Sequence, residues 1–424
     1  MATNAELLKR REAAVVRGVG NTLPVFTERT ECAEIWDVEG RRYIDFAAGI
    51  AVLNTGHNHP KVKAAVQAQL EKFSHTCFQV TQYESYIALA EKLNKIVPGS
   101  SPKKSMMLTT GVEAVENAIK IARYATGRAG VIAFSGAFHG RTALGMTLTG
   151  KVVPYKAGFG PSVPEVYHAP FPIEYHGVSV KDSLKALDNF FKAEIDPKRI
   201  AAMIVEPVQG EGGFYIAPPE FLQALRKLCD DHGIVFIVDE IQTGFARTGK
   251  MFALEYAGVE ADIMTMAKSL AGGFPLSAVT GKAEIMDAPE AGGLGGTYAG
   301  SPIGTVAALA AINAIEQEGL ADRAVQIGKL IKDRIKAMKQ PCIGDIRGLG
   351  AMVSMELVKD GDSNKPDADL TKELVQHVAK KGLVLLNCGV RANVIRYLAP
   401  LTISDALINE GMDIIQASIK ELVK

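Results

Sequence analysis

Between residues 60 and 319 this chain alternates short apolar runs with longer stretches that carry apolar residues at three- and four-residue steps. No other feature narrows the possible folds as much. Runs at 104–109, 131–134 and 200–205 read as strands, 112–126 and 219–232 as helices, and 234–238 as a strand again. Within 219–232, Phe221, Leu222, Leu225, Leu228 and Cys229 share one helical face, with Pro219 opening the segment and Gly233 closing it. Strand 200–205, helix 219–232 and strand 234–238 form a βαβ unit, and such units are right-handed. The alternation predicts an α/β fold: a mostly parallel sheet with helices on both faces.

The two ends of the chain read differently. A length of 424 residues suggests roughly two or three domains. Residues 1–59 are mixed, with strand-like pieces at 34–38 and 42–46. After residue 320 come a helix at 321–338, strands at 352–357, 383–387 and 394–398, a polar loop at 359–369 and a last helix at 405–424. The expected division is a large domain over 60–319 and a small α+β domain over 320–424, to which the 1–59 segment contributes.

Composition excludes several functions. Hydrophobic residues make up 47% of the chain, enough for a large core. Lysine plus arginine and aspartate plus glutamate both number 47, so neither nucleic acid nor an anionic membrane is an expected partner. No apolar run approaches the ~20 residues of a membrane span, and the charged N-terminus lacks a signal-peptide core. Cys32, Cys77, Cys229, Cys342 and Cys388 are scattered without a C-x-x-C pair. They read as reduced thiols of a cytoplasmic protein, and no metal site is expected.

The chemistry begins with Lys268, which follows the apolar run 263–267. A lysine at the mouth of a buried strand can lose its proton on partial burial and react with an aldehyde cofactor. A lone strand-end lysine is weak support, because most lysines are simply solvated. Asp239 ends a second strand, and the two together are what pyridoxal phosphate needs: an amine for its aldehyde and a carboxylate for its ring nitrogen. Glu206 and Asp239 both lie just beyond parallel strands, at the edge where open α/β sheets bind ligands. Each carboxylate alone reads as a turn cap; three ionisable groups converging on one edge read as a site. For a phosphate, the turn through Gly111 and Val112 opens a helix with free N–H groups. The glycine-rich run 292–296 before Thr297 is a second candidate. Two other patterns lead nowhere. Residues 244–250 have P-loop glycine and lysine spacing, but Met251 stands where the metal-binding hydroxyl belongs. His57 and His59 lack a third ligand, and no G-x-G-x-x-G follows a strand.

These residues carry a resemblance. Thr109-Thr110-Gly111-Val112-Glu113-Ala114-Val115-Glu116-Asn117-Ala118, Gly136-Ala137-Phe138-His139-Gly140-Arg141-Thr142, Glu206-Pro207-Val208-Gln209-Gly210-Glu211-Gly212-Gly213, Asp239-Glu240-Ile241-Gln242-Thr243-Gly244 and Ala267-Lys268-Ser269 resemble class III aminotransferases. Within that class the chain is similar, end to end, to bacterial 4-aminobutyrate and 5-aminovalerate aminotransferases. Supporting stretches are 49–57 and 74–79. The resemblance implies a fold type I pyridoxal-phosphate transferase, with the small domain built from both chain ends. It implies that Lys268 holds the cofactor and moves the substrate proton, that Asp239 keeps the ring nitrogen protonated, and that Glu206 orients Asp239. It places Gln242 near the cofactor's 3-oxygen, Phe138 on the ring with His139 beside it, and the Gly111 and Val112 N–H groups on the phosphate. The family usually has tyrosine at Phe138 and serine or threonine at Val112, so one ring hydroxyl and one hydroxyl–phosphate bond are lost here. Thr297 is implied to reach the neighbouring subunit's phosphate, hence a homodimer with shared sites; a tetramer is left open.

For substrate, the resemblance implies two carboxylate receptors. Arg141 takes the distal carboxylate of an ω-amino acid. Glu211 neutralises Arg396 until glutamate or 2-oxoglutarate arrives, then frees it for the α-carboxylate. Read from its neighbours alone, Arg396 in an apolar strand fits a structural ion pair equally well. Ile50 and Gln79 are implied to line the pocket. The expected reaction passes an amino group from 4-aminobutyrate or 5-aminovalerate to 2-oxoglutarate. Alternatives are an acetylornithine, ornithine or β-amino-acid donor, a same-fold aminomutase or decarboxylase, or an inactive relative.

Overall fold

A computed structural model describes residues 2–423. Met1 and Lys424, the outermost residues of the expected N-terminal segment and last helix, lie outside them.

The central sheet has seven strands, in the order Lys103–Leu108, Ser277–Lys282, Ile263–Met266, Val235–Asp239, Ile200–Val205, Gly130–Phe134 and Val166–Ala169. Every residue of Ile200–Val205, Val235–Asp239 and Ile263–Met266 is buried, which is why these strands are continuous apolar runs rather than alternating ones. Helix Gly111–Thr126 covers one face, packing Val115, Ala118, Ile119 and Ala122 against Ile204, Ile237 and Val279. Helix Pro219–His232 covers the other, with Phe221, Leu225 and Cys229 in one cluster with Phe134, Phe236 and Val238. Gly233 ends that helix at a φ of 62°, the left-handed conformation that favours glycine.

One strand departs from the expected parallel arrangement. Ser277–Lys282 runs antiparallel to both of its neighbours. The segment joining it to Ile263–Met266 contains only the short turn Lys268–Ala271. A parallel return would need a crossover helix, and the chain has no room for one there.

The ends of the chain build two further four-stranded sheets. The run expected as a single strand at 383–387 is divided between them. Leu383–Val384 pairs in parallel with Arg42–Asp45, while Leu386–Cys388 pairs antiparallel with Val394–Tyr397. N-terminal and C-terminal segments thus share one sheet. Helix Pro302–Gln317 packs against Pro60–Leu70, Glu84–Ile96 and the Lys268–Ala271 turn. Its alanine-rich sequence is buried on several faces, so it has no single apolar stripe to read. Strands Thr27–Glu31 and Ile343–Leu349 were likewise not expected: the first is polar and mostly exposed, the second carries two glycines and two charges. No helix of the described residues is long and apolar enough to cross a membrane.

Candidate active site

The register of the central sheet brings three strand ends together. Val205 pairs with Val238 and Asp239 with Thr265, so Glu206, Asp239 and Lys268 leave the sheet at one edge. Lys268 has a φ of 45°, a left-handed conformation that costs a non-glycine residue energy and is tolerated where the surrounding structure enforces it. Burial pushes the Lys268 amine below its usual range, against the opposing pull of Glu211, Asp239 and Glu206. The amine forms no hydrogen bond with another described residue. It is therefore free to act as a nucleophile and proton carrier.

Asp239 is 3% exposed. One of its oxygens accepts from the Ile241 N–H at 3.0 Å, and the other lies 2.8 Å from His139 Nδ1. Burial acts to lower the His139 pKa, but the carboxylates of Asp239 and Glu206 outweigh it and raise it. Glu206 accepts from the Phe138 N–H at 2.8 Å and the Gly210 N–H at 2.9 Å. Burial pushes its carboxyl up to about 7, with His139 opposing and Asp239 reinforcing the rise.

The Glu206 shift has a measurable consequence. A carboxyl raised from 4.5 to about 7 binds more protons folded than unfolded between those values. Its contribution is fully present below the unfolded value and is lost as pH rises through about 7. In urea titrations of cofactor-free protein, Glu206→Gln should gain on the wild type from about pH 4.5 to about pH 7 and hold that gain above. A flat difference between the two curves would show that Glu206 titrates like an exposed carboxyl.

A cavity of about 530 Å³ opens over this edge. It lies within the size range of small-molecule sites. Of the residues expected at the site, Gly111, Val112, Phe138, His139, Arg141, Glu206, Glu211, Asp239, Gln242 and Lys268 line it. Where Gly111 and Val112 line it, Thr110 caps helix Gly111–Thr126 and Glu113 returns its carboxylate to the Thr109 and Thr110 N–H groups. The Gly111 and Val112 N–H groups have no partner among the described residues, as the first turn of a helix requires. Val112 Cγ2 fills a slot left by two glycines; a Cβ on Gly140 would lie 2.2 Å from it and one on Gly145 2.6 Å.

Arg396 is on strand Val394–Tyr397, between Met352–Leu357 and Leu386–Cys388. Ile395 and Tyr397 face the main core, while Val394 packs with Val208, Phe214 and Cys388. Alternation puts Arg396 on Val394's side, toward Glu211. Arg396 is 5% exposed; its guanidinium is bonded to Glu211 Oε1 through Nη1, and its Nε has no partner among the described residues. Burial would lift the Glu211 carboxyl; Arg396 more than reverses that and holds it below the usual range. Arg141 is exposed in the cavity and forms no ion pair with a described residue; its guanidinium lies 5.1 Å from the Tyr155 ring centre.

Four expected residues do not line this cavity. Arg396 stands behind Glu211. Ile50 is 43% exposed on a turn with a φ of 66°, and Val52 takes the wall instead. Gln79 donates to the Leu294 carbonyl at 2.9 Å. Thr297 is exposed, on the same segment. Val52 and Phe274 line the cavity and Tyr155 stands beside it, none of them singled out as a site residue from sequence, and each arrives from a different loop. The P-loop-like run is buried structure: Arg247, 0% exposed, donates to Asn54 and to the Ala399 carbonyl. His57 pairs with Asp45 at 2.8 Å and His59 with Glu318 at 3.2 Å.

A family model described as aminotransferase class-III matches residues 14–419. The chain belongs to the class-III aminotransferases. It is 56% identical over 423 residues to 4-aminobutyrate aminotransferase of Escherichia coli, covering 99% of both chains. To a 5-aminovalerate aminotransferase of Pseudomonas aeruginosa it is 57% identical over 422 residues, again covering 99% of both. Among solved structures it is similar to an aminotransferase of Bacillus anthracis, with a TM-score of 0.92 at 29% identity, covering 99% of this chain and 100% of that one. The ornithine aminotransferase of Toxoplasma gondii gives a TM-score of 0.88 at 30% identity, covering 100% and 96%. This class-III aminotransferase passes an amino group between an amino acid and a 2-oxo acid, and its cofactor is pyridoxal phosphate. Its residues fit that cofactor. The free N–H groups of Gly111 and Val112, the Asp239 carboxylate, the Lys268 amine and the Phe138 side chain all line the one cavity. The buried Gln242 Oε1 and His139 Nε2 have no partner among the described residues.

Proposed function

We propose that this enzyme transfers the amino group of an ω-amino acid, 4-aminobutyrate or 5-aminovalerate, to 2-oxoglutarate, giving the semialdehyde and L-glutamate. The observation that carries the reading is one arginine on the cavity wall and a second held just behind it by Glu211. Arg141 is open to a carboxylate, and Arg396 is masked by Glu211. An ω-amino acid brings one carboxylate, far from its amino group. Glutamate brings two. A site with one open receptor and one that is released on demand serves both. The names of the relatives at 56 and 57% identity support the same donors.

Bound pyridoxal phosphate supplies a reactive aldehyde and an electron-withdrawing ring. The Gly111 and Val112 N–H groups would hold its phosphate, with the positive end of their helix adding to the attraction. Asp239 would sit at the ring nitrogen, fixed in direction by the Ile241 N–H and by His139. Glu206 holds the Phe138 backbone and so sets the ring that packs on the cofactor. Lys268 Nζ takes the proton from the carbon bearing the amino group, and burial lowers the cost of freeing that amine of its own proton. Arg141 and Arg396 orient the two ends of the substrate so that this carbon faces Lys268. Thr297 and Gln79, exposed on adjoining segments outside their own cavity, are the residues for a partner subunit's site in a homodimer. The small domain in this reading comprises residues 320–424 with the 1–59 segment added, and the large domain 60–319. The five free cysteines accord with a cytoplasmic enzyme.

A donor panel against 2-oxoglutarate tests the function. 4-Aminobutyrate and 5-aminovalerate should form glutamate fastest. Faster glutamate formation from ornithine, acetylornithine or a β-amino acid would overturn the assignment.

Val112 invites a second measurement. Val112→Ser places a hydroxyl beside the free N–H groups, and a hydrogen bond to a charged phosphate is worth about 1.5–3 kcal/mol. The lost methyl contact with Gly140 and Gly145 offsets about 1 kcal/mol of that. Titration of cofactor-free protein with pyridoxal phosphate should show several-fold tighter binding by the serine variant. Equal or weaker binding would mean that the slot between the glycines keeps the hydroxyl away from the phosphate.

A further inference from the structure

Tyr155 lies beside the cavity wall, against Phe138, Arg141 and Glu211. Its ring is edge-on to Phe138, with centroids 5.0 Å apart, and the Arg141 guanidinium is 5.1 Å from its centre. Its hydroxyl is 3.5 Å from Glu211 Oε2, the oxygen that Arg396 does not use. That distance is the outer limit for such a bond, so the contact is weak while Glu211 rests on Arg396.

If Arg396 is to take a substrate carboxylate, Glu211 must leave it, and a buried carboxylate without a donor is strongly disfavoured. The cations that act on Glu211 are Arg396, Lys268 and Lys151. Arg396 is by then occupied. Lys268 is needed for proton transfer. Lys151 donates to the Gly389 carbonyl at 2.9 Å and forms no ion pair with Glu211. The Tyr155 hydroxyl has no other hydrogen bond among the described residues. Burial, reinforced by Glu211, raises its pKa, so it stays protonated and can donate.

We propose that Tyr155 receives the Glu211 carboxylate when Glu211 releases Arg396, and so sets how readily the site accepts an α-carboxylate. Tyr155 is in this sense a specificity-determining residue: it acts through Glu211 rather than on the substrate. The proposal rests on the two-receptor reading given above.

The test uses holoenzyme and single-turnover kinetics of the two half-reactions. Tyr155→Phe keeps the ring against Phe138 and Arg141 and removes only the hydroxyl. The half-saturating concentration of 2-oxoglutarate should rise about five- to tenfold, the amino-donor value should move several-fold less, and the maximal rates should change little. In a Glu211→Gln background the same substitution should have no such effect, because there is no carboxylate to receive. A fall in the 2-oxoglutarate value would overturn the proposal by showing that the hydroxyl holds the closed pair. Equal changes in both half-reactions, or persistence of the effect beside Glu211→Gln, would overturn it by showing a merely structural role. Arg396→Ala, run in parallel, separates the two levels. If it slows only the 2-oxoglutarate half-reaction while Tyr155→Phe changes nothing, Tyr155 alone is misassigned. If it slows both equally, the two-receptor reading falls and the proposal with it.

Discussion

Lys268→Ala should lose turnover by at least about a thousandfold and keep its fold. Two functions go together: the amine that holds the cofactor, and the base that moves the substrate proton, which alone is typically worth 10²–10⁴-fold. Little stabilisation goes with them. The amine makes no hydrogen bond to a described residue, and its burial opposes its charge. Alanine keeps the left-handed backbone strain, so the unfolding midpoint of the cofactor-free protein should shift by no more than a few degrees. After borohydride treatment and denaturation, cofactor should stay attached to the wild type and leave the variant. Added small amines should rescue only weakly, because they are not positioned. Turnover near the wild-type rate would remove Lys268 from the reaction.

Arg396→Ala should divide the reaction in two. The α-carboxylate of 2-oxoglutarate or glutamate loses a buried, bidentate partner, and losing such a pair costs several kcal/mol. The 2-oxoglutarate half-reaction should slow by roughly a hundredfold or more. 4-Aminobutyrate has no α-carboxylate, so its half-reaction should slow far less. Some penalty remains there, because Glu211 loses the cation that holds its carboxyl low and is left buried. Glu211→Gln in the same protein should relieve that penalty without restoring 2-oxoglutarate. Single-turnover rates of each half-reaction read the difference. Equal losses in both would make Arg396 a structural residue or a receptor for both substrates.

The parts of this site that were legible in sequence are those that sit at the ends of buried strands. Glu206, Asp239 and Lys268 each interrupt an apolar run, and a charge there is either a cap or chemistry. The phosphate end was legible for a related reason: a turn into a helix leaves N–H groups free wherever it occurs. The motif resemblance added Glu211, Arg141 and Arg396, whose meaning depends on distances that periodicity does not carry. Tyr155 and Val52 escaped notice because each lies on an irregular segment, where no period or cap marks a residue as inward-facing. The reversed strand Ser277–Lys282 escaped because strand direction depends on the length and path of the connection, not on the strand's own residues.

Local sequence by itself determined the α/β class, the βαβ unit and the candidate lysine and carboxylates, because hydrophobic period and punctuation follow from backbone geometry that every chain shares. Tertiary structure alone decided which of those residues meet. The sheet register aligned Val205 with Val238 and Asp239 with Thr265, and so gathered three strand ends. The C-terminal sheet, folding back against the 206–214 loop, brought Arg396 to Glu211 across 185 positions of chain. The loop beyond helix Ala143–Leu148 set Tyr155 beside both. Such long-range pairings depend on how whole surfaces pack, and no local run of residues encodes that.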